Sequence, residues 1–141
     1  MTILSALMIA VSLVDPVTAG EKSFPSVEGN VFFATPSGNL WCAYTPPGGG
    51  AASYPSPNGS AQLTCHRLAP RFAVVVLGER GPASRVDPEG DWPHHDGLPV
   101  LGYGDTWRAG PFDCTSRRKG LTCRSTGGGH FTLSRSAVAV D

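Results

Sequence analysis

The chain has 141 residues, enough for one domain with a modest core. Its 18 glycines and 13 prolines stand beside only 16% charged residues, which suits short strands joined by turns and argues against long surface helices. The 11 basic and 11 acidic side chains cancel, so the basic excess usual in a nucleic-acid binder is missing and no such partner is expected.

Residues 3–14 are apolar apart from two serines. They fall short of the roughly 20 apolar residues needed to cross a bilayer. Val17-Thr18-Ala19 follows Pro16 with small residues where a signal peptidase reads. Residues 1–19 therefore read as a signal peptide, although no Lys or Arg precedes the apolar run. No cysteine sits at the cleavage point to carry a lipid anchor. The expected mature chain has no transmembrane helix and is secreted, either extracellular or in the cell envelope. Residues 20–29 read as a flexible N-terminal segment, and 30–141 as a single all-β domain.

Val31 to Thr35 is β-prone and ends in Thr-Pro-Ser-Gly, a type I turn signature with Pro second and Gly fourth. Leu40 to Tyr44 follows at once, so 31–44 reads as a hairpin. Residues 45–60 are low-complexity and read as an exposed loop that carries an Asn58-Gly59-Ser60 sequon. "AQLTCHR" and "RFAVVVLG" give two more strands, and the run Val74 to Leu77 has the unbroken apolar character of the most buried one. A second loop leads to "VLGYG", read as a short strand ending at a turn. "GPFDCTSRRKGLTCRS" reads as a hairpin with Arg117-Arg118-Lys119-Gly120 at its tip. "HFTLSRSAVAV" closes the chain with alternating apolar residues. The class is all-β, a small sandwich or partly open barrel.

Each of Cys42, Cys65, Cys114 and Cys123 has an apolar residue two positions earlier: Leu40, Leu63, Phe112 and Leu121. In a strand these pairs share a face, which turns all four sulfurs toward the core. A reactive thiolate needs a partly exposed, electropositive setting instead. An even count in an oxidising compartment points to disulfides. Three pairings are allowed, and the simplest is local: Cys42 with Cys65 and Cys114 with Cys123. A four-cysteine zinc site would need closely spaced cysteine pairs, and neither gap is that short. "LWC…LTCHR" also echoes "FDC…LTCRS", as if two strand pairs repeated one plan.

"FFATPSGNLWCAY", "LTCHR", "VLGYG", "FDC", "GLTCRS" and "GGGHFTLSR" occur in an order that resembles a family of small exported actinobacterial proteins catalogued as a domain of unknown function. The resemblance spans about 31–135. It implies export and two disulfides, and it brings no activity, cofactor or catalytic residue. The Gly-His-Gly-Phe of that family stands here as Gly128-Gly129-His130-Phe131, which moves the histidine to the other face of a strand.

Three clusters are candidates for function. His94, His95 and Asp96, with Glu89 and Asp91 nearby, are the residue types of a metal or hydrolytic site. Adjacent histidines in a strand point apart, however, so a solvated loop is the simpler expectation. Arg117, Arg118 and Lys119 share one turn, with Arg108, Arg124 and Arg135 close in sequence, and could dock an anionic polymer or head group. Trp41, Trp92, Trp107 and Tyr103 are the material of an aromatic platform, and Trp41 alternates with Leu40 and Cys42 so as to face outward. Ser37 has no base beside it to make it a nucleophile. The expectation is a non-catalytic envelope or extracellular binding module without metal or cofactor. Its ligand surface would include Trp41, Arg117, Arg118 and Lys119, and its partner would be an envelope polymer or protein. The alternative is a metal-dependent or hydrolytic enzyme using His94, His95 and Asp96.

Overall fold

A computed structural model describes residues 20–48, 52–88 and 95–141, so the expected signal peptide over 1–19 lies outside the described residues. In chain order the first six strands are β1 (Glu21–Lys22), β2 (Ser26–Val27), β3 (Asn30–Ala34), β4 (Leu40–Thr45), β5 (Gln62–Arg67) and β6 (Ala73–Gly78). The rest are β7 (Ser84–Val86), β8 (Thr106–Ala109), β9 (Phe112–Arg117), β10 (Gly120–Ser125), β11 (His130–Leu133) and β12 (Val138–Val140). They form two six-stranded sheets, β2-β3-β4-β5-β6-β7 and β1-β8-β9-β10-β11-β12, packed as a sandwich that does not close into a barrel. Every pairing within them is antiparallel except β1 with β8.

Alternation builds the core. Leu40, Cys42 and Tyr44 from β4 meet Phe112, Cys114, Leu121 and Cys123 from the facing sheet, around Phe33 and Trp107. The two bridges are Cys42–Cys65 and Cys114–Cys123, and all four cysteines are fully buried. Each bridge joins residues directly opposite on neighbouring strands, with Cα atoms 4.1 Å apart. Such directly opposed pairs bring their side chains close enough to bond. Each sheet is thus built on a meander, β2 to β7 in one and β8 to β12 in the other, stapled across one antiparallel strand pair, which is the structural content of the repeated sequence pattern.

The structure departs from the sequence reading in four places. Residues 20–29, expected as a flexible segment, instead give one short strand to each sheet, and Phe24 stacks on Phe33 at 5.6 Å between ring centroids. A single aromatic anchor and open strand edges on both sheets suffice to fix a polar segment. β7 lies inside the long second loop. β8 covers residues just after the Gly104-Asp105 turn for which no strand was expected; it forms because Trp107 turns into the core and its neighbours outward. Residues 100–104 do not form a strand; Val100 makes one bridge to Ala34, and Leu101 alone is buried.

At one edge the two sheets touch backbone to backbone. Arg80 pairs with Gly127, the Ser125 hydroxyl donates to the Glu79 carbonyl at 2.8 Å, and the Ala83 N–H donates to the Asp141 carbonyl at 3.0 Å. A Cβ at Gly127 would stand 1.8 Å from the Glu79 carbonyl oxygen, so only glycine permits the approach.

Candidate functional site

The "PSGN" stretch sits at one end of the sandwich. The Gly38 N–H donates to the Thr35 carbonyl at 2.9 Å, closing the turn, and Gly38 takes a φ of +74° that favours glycine. Asn39 then binds across to the β5–β6 connection. Its Nδ2 donates to the Ala69 carbonyl at 2.9 Å, and its Oδ1 accepts the Ala69 N–H at 2.8 Å. The motif is a brace between two loops.

Beside this brace lies a cleft of about 500 Å³. One wall is Thr35, Ser37, Gly38 and Asn39; the other is Arg117, Arg118 and Gly120 from the β9–β10 hairpin, with Ser134 and Arg135 from the β11–β12 connection. Tyr103 also lines it, 42% exposed, with the Arg118 guanidinium 5.2 Å above its ring. This cation–π contact holds Arg118 over the cleft, a contribution of about 0.5–1 kcal/mol at an exposed site. Three arginines are among the residues that line the cleft, and among the described residues no Asp or Glu lines it. Beneath them Arg67, itself buried, donates from Nη1 to the Ser134 carbonyl at 3.2 Å and from Nε to the Arg71 carbonyl at 3.1 Å. It ties the β5 end to the β11–β12 connection.

The structure therefore brings Arg117 and Arg118 together with Arg135 and the turn. Lys119 is exposed at the hairpin tip and does not line the cleft. Arg108 and Arg124 point from the outer face of the second sheet, both in register with Asp113. Arg135, Tyr103, Ser37 and Asn39 belong to the site only through long-range folding. The strand register of β9–β10 and the Thr-Pro-Ser-Gly turn were readable separately, but nothing local says that they meet.

Among the described residues the aromatic platform is not assembled. Trp107 is in the core and Tyr103 on the cleft, while Trp92 lies outside the described residues. Trp41 does project from the outer face of its sheet, yet it is only 7% exposed. His66 stacks on it, and the His95 ring meets it edge-on at 4.7 Å between centroids. Alternation placed Trp41 on the outer face correctly; it could not show that the His95 ring packs against it. Burial pushes the His66 pKa down to about 4, against a hydrogen bond that Nδ1–H donates to the Trp41 carbonyl at 3.4 Å; proximity to His95 lowers it further.

His94, with Glu89 and Asp91, lies outside the described residues. His95 packs against Trp41 and Phe32, and Asp96 lines a different, smaller cleft. Among the described residues no group of three or more His, Cys, Asp or Glu gathers to hold a metal. His130 is exposed on the outer face, with Nε2 3.6 Å from an Asp141 carboxylate oxygen, while Phe131 takes the core-facing position.

Compared with known proteins, a family model described as a family of unknown function (DUF6636) matches residues 74–140, from β6 to β12. That stretch contains the basic hairpin and the second disulfide, and it stops short of the Thr35–Asn39 wall. No curated protein and no solved structure matches the chain.

Proposed function

We propose that this chain is an exported, non-catalytic binding module of the extracellular space or cell envelope, and that its end cleft holds an anionic group of its ligand. The observation that carries the reading is the convergence of Arg117, Arg118 and Arg135 on a cleft whose other polar groups are hydroxyls, an amide and a phenol. Among the described residues none of the three guanidiniums is in an ion pair. Guanidinium forks recognise phosphate and carboxylate oxygens, and hydroxyls add donors. Among the described residues that line the cleft none is a histidine or carboxylate that would take a proton from Ser37, and the chemistry suits holding rather than turnover. Two fully buried disulfides support an oxidising compartment. The likeness of 31–135 to small exported actinobacterial proteins points the same way.

Retention on phosphocellulose, a phosphate-bearing matrix, tests the location of the site. R117A/R118A/R135A should elute at clearly lower salt than R71A/R80A/R108A, which removes three exposed arginines elsewhere. Equal elution of the two triple variants would contradict the reading.

A further inference from the structure

We infer that cleavage after Ala19 completes a second site: the α-ammonium freed on Gly20 seats in a socket formed by the 102–105 turn and pairs with the Asp105 carboxylate. This rests on the export reading and is independent of the anion-holding role of the cleft. The covalent step is hydrolysis of the Ala19–Gly20 amide by water in a signal peptidase. It leaves a carboxylate on Ala19 and an amine on Gly20, and that amine takes up a proton at neutral pH. Before cleavage the Gly20 nitrogen is an amide and brings no charge to the socket.

Gly20 is built into the fold where the mature chain is expected to begin. Its carbonyl accepts the Thr106 N–H beside the parallel pairing of β1 with β8. Its φ of +116° and its surroundings suit glycine, since an added Cβ would stand 2.8 Å from the Gly104 carbonyl oxygen and 3.2 Å from the Asp105 Cα. The next nearest atom to that Cβ position is the Asp105 Oδ1, at 3.5 Å. A residue's nitrogen lies about 2.5 Å from its Cβ, which puts the Gly20 nitrogen within about 6 Å of this oxygen. At that range an opposite charge favours the ammonium form. The other oxygen, Oδ2, lies over Gly102, 2.8 Å from where a Cβ would be. The half-buried Asp105 side chain is thus packed against two glycines, and among the described residues no side chain forms an ion pair with it. The turn that carries it is fixed to β9: the Asp105 carbonyl accepts the Ser116 N–H at 3.0 Å, and the Gly104 N–H donates to the Ser116 carbonyl at 2.7 Å.

The test uses full mature chains released from a fusion so that they begin at Gly20 or at Ala19, each with Asp105 or with D105N, together with the Gly20 chain acetylated at its amine. Followed by NMR, the wild-type Gly20 amine should titrate above the range of about 7.7–8.0 usual for an α-amino group and return toward it in D105N. Glu21 and Lys22, the charged residues of β1, are present in both, so the difference isolates Asp105. In denaturant the Gly20 chain should have an unfolding equilibrium constant about threefold lower than the acetylated or Ala19-extended chain, a gap closed by D105N and narrowed by salt. An amine that titrates alike in wild type and D105N, or a gap that persists in D105N, overturns the socket. If D105N does not fold, acetylation decides alone, and an acetylated chain as stable as the free one overturns it. The intact mass of the exported protein separates the two failures: a start other than Gly20 overturns the cleavage, whereas a start at Gly20 without the coupling overturns the ion pair and leaves export standing.

Discussion

Trp41 and His66 lie face to face on the outer surface of their sheet, with ring centroids 3.7 Å apart and planes 5° from parallel. They are cross-strand partners in β4 and β5, and the residue before His66 is the cysteine that bridges to Cys42. One face of this strand pair therefore carries a covalent staple and the other a stacked aromatic pair. The histidine in that stack is neutral at ordinary pH.

Stability should consequently fall in acid. The His66 pKa is 6.5 in an unperturbed chain and about 4 when folded. Between those values the unfolded chain binds the extra proton, so stability is full above about pH 6.5 and is lost as pH falls toward 4. The shift corresponds to about 3 kcal/mol. Melting temperature measured against pH should drop across this window in the wild type and much less in H66F. Parallel curves would show that His66 is not the group responsible.

The two disulfides should differ in weight. Cys42–Cys65 spans 23 residues and Cys114–Cys123 spans 9. The chain-entropy model gives about 3.4 kcal/mol for the first and about 2.6 kcal/mol for the second. Denaturant unfolding of C42A/C65A and C114A/C123A should place the first variant lower. The reverse order would show that local packing outweighs loop closure here.

Much of the architecture was legible because burial repeats every second residue. The apolar residue two places before each cysteine announced the facing of all four sulfurs, and the register then joined them locally. The basic hairpin tip was equally plain. What could not be read were contacts set by tertiary packing: Phe24 recruiting 20–29 into the sheets, the cover over Trp41, and the arrival of Arg135 and Tyr103 beside Ser37. Asn39 illustrates the limit, since its side chain serves a backbone 30 residues away.

Asn39 gives the next prediction. N39A removes both side-chain bonds to Ala69 and leaves that backbone pair partly buried, at a cost of about 1–3 kcal/mol. It should also weaken anion binding, because the turn it braces is a cleft wall. Unchanged stability and binding together would show the brace to be dispensable.

Gly127 tests the backbone seam between the sheets. G127A forces a Cβ onto the Glu79 carbonyl, and the loss should be about 2–4 kcal/mol. S136A, at an exposed position in the β11–β12 connection, should be nearly neutral by comparison. Similar unfolding midpoints for the two variants would mean that the seam opens without cost.

The most direct measurement is a ¹⁵N-resolved titration of the mature chain with inorganic phosphate at low salt. The predicted result is amide shifts confined to Ser37–Asn39, Arg117–Gly120 and Ser134–Arg135, reversed by added salt as charge screening requires. Shifts spread evenly over the surface, or gathered instead around Arg124 and His130, would contradict an anion-holding cleft at this end of the sandwich.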